Sequence, residues 1–519
     1  MSRQVRVASV LWGASILLSR LVSMVREGAI GRILGASAAS DVYNASFQLP
    51  DFLNYLLAAG ALSIVFIPIF ASHLARGDER GASESFHAIA SFLAVLLLVL
   101  TALLFALAPA LARWIAPGFS AAQTEDLVRL TRIVLPAQVF HVLGGLLSAA
   151  LQARDRHALP ALAPILYTGS IVAGGLLGGS SLGPYGFAWG ALAGSFLGPF
   201  LLPLIGCLRS GLRFRFAWAP RHPDLKAYLA RSLPIMLGFS IVVVDDWYLR
   251  HHGSLLGTGT LTILNDAKTL MRVPMGVFGL AAGMAAYPTL ARLVAEGRAD
   301  EMRATLTATA KKVLLLAFAA QVAMTVSGTE IATVVYGRAR MSTEQLSEIG
   351  ACLGWISIGL GAWCVQAIVA RGFYALGNTW LPAVLGTAVA AAAIPLYAIA
   401  RDRLGARGLA AASSLAILVY TIALASWFAR STRTARRESW SDWLARAAAA
   451  VLIGILAGWT VRTFVPLPGP SISLVLFRGA LQGGAATFVF LAVSGLLGLP
   501  EALRWLPSRS RLSQERGST

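Results

Sequence analysis

The chain has 519 residues, of which 57% are hydrophobic and 13% are charged, and its mean hydropathy is +0.69. This composition is typical of a membrane protein and argues against a soluble globular enzyme. The 43 basic residues outnumber the 24 acidic ones, but they lie in connectors and tails. They therefore do not indicate a folded basic module for nucleic acid.

Apolar stretches of about 20 residues follow one another along nearly the whole chain, and each is long enough to cross a bilayer as a helix. They predict an all-α integral membrane protein with about fourteen transmembrane helices. The predicted spans begin near residues 7, 39, 85, 127, 160, 185, 230, 261, 309, 347, 380, 405, 444 and 474. The first span has a basic start, but no small-residue cleavage site precedes Arg20 and Arg26. We expect it to be a retained helix, not a signal peptide.

Arginine and lysine orient the predicted bundle. They concentrate in the connectors that follow even-numbered spans, at 209–226 and 430–437, and in the tail after residue 503. Several connectors after odd-numbered spans, such as 178–184, are poor in charge. By the positive-inside rule both termini are expected to be cytoplasmic.

The sequence also echoes itself at a nearly constant offset. The segment 67–77 is echoed at 287–297, an offset of 220, and the segment 153–161 is echoed at 375–383, an offset of 222. Two parallel six-helix repeats followed by two additional helices would explain this agreement, and substrate would bind between such repeats. The predicted divisions are residues 1–218 and 219–430 for the halves, 431–500 for the extra helices and 501–519 for a basic cytoplasmic tail.

Charged and polar residues within apolar spans are candidates for function, because a charge at bilayer depth is unfavourable unless it faces water or a partner. With the termini inside, six such residues fall at middle to outer depth on three helices, where they predict a predominantly cationic substrate-binding cavity. These residues are Arg20, Arg26, Asp41, Asn54, Lys268 and Arg272. The alternative is internal pairing, for example of Arg26 with Asp41, or snorkelling to the interface.

Two adjacent acids, Asp245 and Asp246, lie in the predicted seventh span. They predict either an ion-coupling site for protons or sodium, or structural partners for the nearby cations. Nothing in the sequence resembles a nucleophile with its base, a nucleotide site or a metal-ligand spacing, so we expect a transporter with no catalytic residue, metal or cofactor. The three cysteines are expected to be small core residues.

Guanidinium and ammonium groups select anions, and guanidinium pairs with phosphate in a bidentate fork. In a bilayer the natural anion is phosphate on a lipid carrier. Segment 19–70 resembles the N-terminal part of the MurJ (MviN) lipid II flippase family, which belongs to the MATE-like exporter superfamily. Further matching segments are 116–119, 158–166, 185–190, 270–279 and 371–382.

The resemblance covers about residues 5 to 500. It implies a bacterial inner-membrane flippase that moves lipid II, the undecaprenyl-pyrophosphate-linked peptidoglycan precursor, to the periplasmic leaflet by alternating access. It also implies that the membrane potential or a sodium or proton gradient drives transport, and that cell-wall synthesis proteins are partners. Arg20, Arg26 and Asp41 match charged residues that the family uses in its central cavity.

Other positions depart from the family. Asn54 and Tyr55 stand where it usually has two arginines, and Thr269 stands at its functional arginine in the eighth span, with Lys268 and Arg272 nearby. Two alternatives therefore stay open. One is a flippase for a different lipid-linked oligosaccharide, such as an exopolysaccharide or O-antigen precursor. The other is a non-transporting scaffold of the cell-wall machinery.

Overall fold

The computed structural model describes residues 22–58, 65–237, 241–337, 340–432, 440–464 and 471–503. Every regular element within these ranges is helical. The first half of the sequence contains α1 (the helical residues 22–34), α2 (Ala38–Ser46), α3 (Gln48–Ala58), α4 (Ile67–Ala75), α5 (Glu79–Ile115), α6 (Ala121–Val134), α7 (Ala137–Gln152), α8 (Ala158–Leu182), α9 (Pro184–Ser195) and α10 (Leu202–Arg209). The remainder contains α11 (Pro223–Leu237), α12 (Ile241–Ser254), α13 (Thr260–Pro274), α14 (Ala281–Ala295), α15 (Ala299–Val326), α16 (Gly328–Tyr336), α17 (Thr343–Ser357), α18 (Leu360–Ala375), α19 (Trp380–Ser431), α20 (Trp440–Phe464), α21 (Ile472–Leu496) and α22 (Pro500–Leu503). Short π-helical turns at Phe196–Leu201 and Met275–Leu280 join α9 to α10 and α13 to α14.

Nine helical segments within the described ranges are long and apolar enough to cross a membrane, and a tenth is the bent pair Thr343–Ser357 and Leu360–Ala375. This confirms an all-helical, multi-pass membrane protein. The predicted number of fourteen spans is not confirmed by this count. The spans predicted near residues 7, 39 and 230 fall on shorter helices or run into residues that the structure does not describe.

The spans predicted near residues 380 and 405 correspond to two helical parts of α19, which meet at a kink at Gly405. Gly405 has φ 59° and ψ −136°, a conformation that glycine adopts without the steric penalty of a side chain. The break separates an N-terminal part that contains Tyr397 from a C-terminal part that contains Ser413. Both parts contribute to a buried polar cluster described below.

The chain forms two compact units. Unit 1 is built from the described residues of 1–239, 246–262 and 338–341, and unit 2 from those of 240–245, 263–337 and 342–519. The unit boundary therefore falls within the helices α12 and α13. Unit 1 has an apolar core that includes Phe66, Phe86 and Tyr228, all of which are fully buried.

Local sequence signals explain where several helices begin. Ser120 and Ser342 each precede a helix, and in each case the serine side chain and the Gln side chain three residues later cap each other's backbone N–H groups. Such capping boxes satisfy donors that have no partner within the helix. The large exposed apolar side chains of α5, including Leu98 and Val99, suit a surface that faces lipid.

Backbone turns recur at the offset of the sequence echoes. Asp155 and Gly377, which are 222 residues apart, both adopt positive φ, at 58° and 76°. Gly183 and Gly405, also 222 residues apart, have φ of 49° and 59°. The two parts of the sequence therefore share backbone geometry at these turns.

Candidate functional site

Both units contain residues that the sequence predicts to bind substrate or couple ions. Arg20 lies outside the described residues. Unit 1 contains Arg26, Asp41, Asn54 and Asp246, and unit 2 contains Asp245, Lys268 and Arg272.

Arg26 lies on α1 and pairs with the adjacent Glu27. The Arg26 Nε lies 3.1 Å from Glu27 Oε1, and a second contact from Nη2 to the same oxygen is shorter. The Glu27 side chain is 6% exposed and that of Arg26 is 28% exposed. The guanidinium is thus held by an acid that sequence reasoning missed, although the two residues are neighbours in the sequence. The suggested pairing of Arg26 with Asp41 is wrong: Asp41 has other partners.

Asp41 binds the beginning of helix α13. Its carboxylate accepts hydrogen bonds from the Gly259 N–H at 2.5 Å, the Thr262 N–H at 2.8 Å and the Thr262 hydroxyl at 2.7 Å. Asp41 is 1% exposed. The first N–H groups of a helix have no intrahelical partner and lie at the positive end of its dipole, so an anion is favoured there. Asp41 therefore acts as a cap that is supplied by another helix.

Lys268 and Asp245 form a buried ion pair in unit 2. Asp245 also accepts hydrogen bonds from the Tyr397 hydroxyl and, at 3.0 Å, from the Ser413 hydroxyl. Lys268 is 4% exposed and Asp245 is 1% exposed, and the Lys268 Nζ lies 5.3 Å from the centre of the Trp363 ring. We call Asp245, Lys268, Tyr397 and Ser413 the Asp245 cluster. Sequence reasoning missed Tyr397 and Ser413, which are more than 150 residues from Asp245 along the chain.

The other predicted residues are more accessible. Asn54 is exposed, whereas Asp246 and Arg272 are half-buried. Arg250 is an additional cation in unit 1 that sequence reasoning did not single out. Its Nη1 donates to Gln48 at 3.0 Å, and its Nη2 lies 3.4 Å from an oxygen of Asp51.

Unit 2 also contains a buried acid at Glu330, in the first turn of α16. Glu330 is 2% exposed, and its Oε1 accepts from Arg478 of α21 at 2.6 and 2.8 Å. Nothing in the sequence marked this pair, because its members are 148 residues apart. The pair joins the last long helix to the rest of unit 2.

Among the predicted residues that the structure describes, Arg26, Lys268 and Arg272 have cationic side chains that can bind an anion. Within the described residues, no group of three or more His, Cys, Asp or Glu side chains could hold a metal ion. All three cysteines are buried and free.

Known proteins resemble the chain over most of its length. The family model described as "Lipid II flippase MurJ" matches residues 30–476. The lipid II flippase MurJ of Burkholderia cenocepacia is 28% identical over 381 residues, covering 72% of this chain and 74% of that protein. A probable lipid II flippase MurJ of Rhizobium tropici is 26% identical over 498 residues, covering 93% of this chain and 91% of that protein.

Solved structures show the same fold. A lipid II flippase MurJ in an inward closed conformation matches with a TM-score of 0.76 and 19% identity, over 93% of this chain and 98% of that one. An inward-facing multidrug transporter of the MATE family, in the MOP superfamily, matches with a TM-score of 0.66 and 14% identity, over 82% of this chain and 98% of that one. With the family model matching most of its residues, the chain belongs to the lipid II flippase MurJ family.

Proposed function

We propose that this chain is a flippase that moves lipid II from the cytoplasmic to the periplasmic leaflet of the bacterial inner membrane by alternating access. The family match over residues 30–476 carries this proposal. The two relatives described above bear the names of lipid II flippases. Buried or half-buried cations on the apolar helices supply the chemistry that a pyrophosphate-linked lipid requires.

The proposed phosphate-binding residues are the cations Arg20, Arg26, Lys268 and Arg272. Arginine offers a planar fork of donors that matches phosphate oxygens, and lysine adds a compact charge. Asn54 contacts the saccharide, for which an amide that donates and accepts is suited. Asp41, whose carboxylate accepts hydrogen bonds from Gly259 and Thr262, holds the start of α13.

Transport is driven by the membrane potential or by a sodium or proton gradient, with Asp245 and Asp246 as the coupling acids. A transporter moves between states of different accessibility, and a ligand shifts that equilibrium only by its difference in affinity for the states. Both termini lie in the cytoplasm, as the arginine-rich connectors indicate. Proteins of cell-wall synthesis are the expected partners, and no covalent reaction is involved.

The proposal is tested in a bacterium depleted of its own lipid II flippase. The measurement is the fraction of lipid II that becomes accessible at the periplasmic face when this chain is expressed. We expect the parent protein to restore periplasmic accessibility of lipid II. Arg20→Ala and Arg26→Ala, present in the membrane at equal levels, should not restore it. Arg298→Ala is the matched control, because Arg298 is an exposed residue that precedes α15 and pairs with Glu296 and Glu301.

Full activity of Arg20→Ala, Arg26→Ala and Lys268→Ala would mean that lipid II is flipped without the proposed cations. No activity from a well-inserted parent would contradict lipid II as the cargo.

A flippase for another polyprenyl-linked oligosaccharide is the second candidate. Asn54, Tyr55 and Thr269 favour it, because they stand where the family is expected to have arginines. Fewer cations would suit a saccharide that carries less negative charge than lipid II. Restoration of exopolysaccharide or O-antigen export in a strain that lacks the corresponding flippase, without restoration of lipid II flipping, would establish this candidate.

A further inference from the structure

The Asp245 cluster is asymmetric in how its two charges are held. Three donors from two helices, Lys268 of α13 with Tyr397 and Ser413 of α19, reach the Asp245 carboxylate. Two of these donors are neutral hydroxyl groups, which remain in place whatever the lysine does. The Asp245 carboxylate is therefore held in position by two hydroxyl donors in addition to the lysine.

Lys268, in contrast, has a flexible four-carbon stem and a compact charge, so its ammonium group can change partners by rotation of single bonds. Its side chain lies against the Trp363 ring, at 5.3 Å from Nζ to the ring centre. An aromatic face attracts a cation without requiring one fixed position of that cation over the ring. The lysine is thus the member of the pair that can move.

The pair is also poorly explained as a source of stability. Removing two charges from water is unfavourable, and apolar residues of similar volume commonly stabilise a protein as well as a buried ion pair does. Within a membrane protein, buried ionisable residues more often mark a substrate or ion pathway.

We propose that Asp245 is an internal counter-ion that holds the ammonium group of Lys268 while no substrate is bound and releases it to the substrate pyrophosphate. Asp245 then competes with the substrate for the same cation. This competition weakens substrate binding enough to permit release on the far side of the membrane. When the pyrophosphate leaves, the Asp245 carboxylate takes its place beside the Lys268 ammonium group. This inference rests on the proposed function and assigns Asp245 a role in setting substrate affinity.

Two substitutions should change the affinity for undecaprenyl pyrophosphate in opposite directions. Asp245→Asn removes the competitor, so undecaprenyl pyrophosphate should bind more tightly, on the order of tenfold, and leave more slowly. Ser413→Ala keeps the carboxylate but removes one neutral donor. The less satisfied carboxylate should then hold Lys268 more strongly, and the lipid should bind several times more weakly.

The test measures equilibrium binding and release of undecaprenyl pyrophosphate by purified full-length protein in lipid nanodiscs. Asp442→Asn is the matched control, because it makes the same chemical change at an exposed acid on α20, and its affinity should equal that of the parent. Lys268→Met with Asp245→Asn removes both charges and should bind more weakly than Asp245→Asn alone.

A purely structural pair would give a different pattern. Both Asp245→Asn and Ser413→Ala would then weaken binding in proportion to a loss of thermal stability, and the proposal would be overturned. If Asp245→Asn does not fold, Ser413→Ala decides: weaker binding at unchanged thermal stability supports the competition, whereas unchanged or tighter binding, or weaker binding that follows a loss of thermal stability, contradicts it. Failure of the parent protein to bind the lipid would instead overturn the proposed function, on which this inference rests.

Discussion

The carboxylate of Asp41 accepts hydrogen bonds from both the backbone N–H and the side-chain hydroxyl of Thr262, at 2.8 and 2.7 Å. The two residues are 221 positions apart, yet the contact has the chemistry of a helix cap. Asp41 also lies in the first turn of its own helix, α2. One carboxylate is therefore placed near the N-termini of two helices, where negative charge is favoured.

Substitution of this pair should separate a structural contact from a substrate contact. Asp41→Asn replaces one accepting oxygen by a donor that faces backbone N–H groups, so we expect it to lower stability by about 1–3 kcal/mol. Thr262→Val should have a smaller effect, and Thr262→Ser, which keeps the hydroxyl, should resemble the parent. Thermal unfolding in detergent is the measurement. Loss of transport by Asp41→Asn with unchanged thermal stability would contradict the capping role.

The buried Glu330 and the partly exposed Arg478, whose side chain is 35% exposed, form a pair that should contribute to stability. Arg478→Ala leaves the Glu330 carboxylate, which is 2% exposed, without its arginine partner, and we expect a loss of about 1–3 kcal/mol. Glu330→Gln with Arg478→Met should recover much of this loss, because no uncompensated charge remains. Arg80→Ala is the control, since Arg80 and Glu84 form an exposed pair that should contribute less than about 1 kcal/mol. Equal losses of thermal stability in the two arginine variants would contradict this account.

The close approach of α8 and α9 depends on glycine. A Cβ atom on Gly190 would lie 2.6 Å from the Ser170 carbonyl oxygen and 3.0 Å from the Ile171 Cα. Since the backbone there cannot move aside without separating the helices, Gly190→Ala should reduce thermal stability and the yield of folded protein.

Gly169 of the same helix pair is the matched control, because a Cβ atom there would meet no other atom within 4 Å. Gly169→Ala should be neutral or slightly stabilising, by roughly 0.5–1 kcal/mol, since alanine favours the helix. A loss at Gly169 as large as that at Gly190 would show that close packing is not the cause.

His73 joins three segments outside the long apolar helices. Its Nε2 lies 2.9 Å from Asp224 and its Nδ1 lies 3.0 Å from Asp78. The hydrogen bond to Asp224, followed by that to Asp78, raises the pKa of His73 above its ordinary value of 6.5. Because the folded state binds the proton more tightly, the stabilisation is complete below pH 6.5 and is lost as the pH rises through the raised pKa.

Thermal unfolding of the parent and of His73→Gln across a range of pH tests this prediction. The parent should be the more stable between about pH 5 and 6, and the difference should shrink by about pH 9. Asp224→Asn should remove most of this pH dependence. A difference between parent and variant that is constant with pH would mean that the protonated histidine has no special role.

Much of the fold and part of the site were predictable from the sequence. Long apolar stretches must be helices in lipid, because only hydrogen bonding within the segment satisfies the backbone there. The same reasoning marked Arg26, Asp41, Asp245 and Lys268, since a charge within an apolar span needs an explanation. It did not give the number of spans, because the short helices α2 to α4 do not follow from hydropathy.

The sequence by itself determined that the chain is a helical membrane protein with charged groups placed within its spans. Only the tertiary structure decided which partner each charge has: Glu27 for Arg26, the start of α13 for Asp41, and Asp245 for Lys268. The physical reason is that hydropathy is a property of each segment alone. The pairing of buried charges depends on directions and distances of a few Å between helices that lie far apart in the sequence, which a linear pattern does not contain.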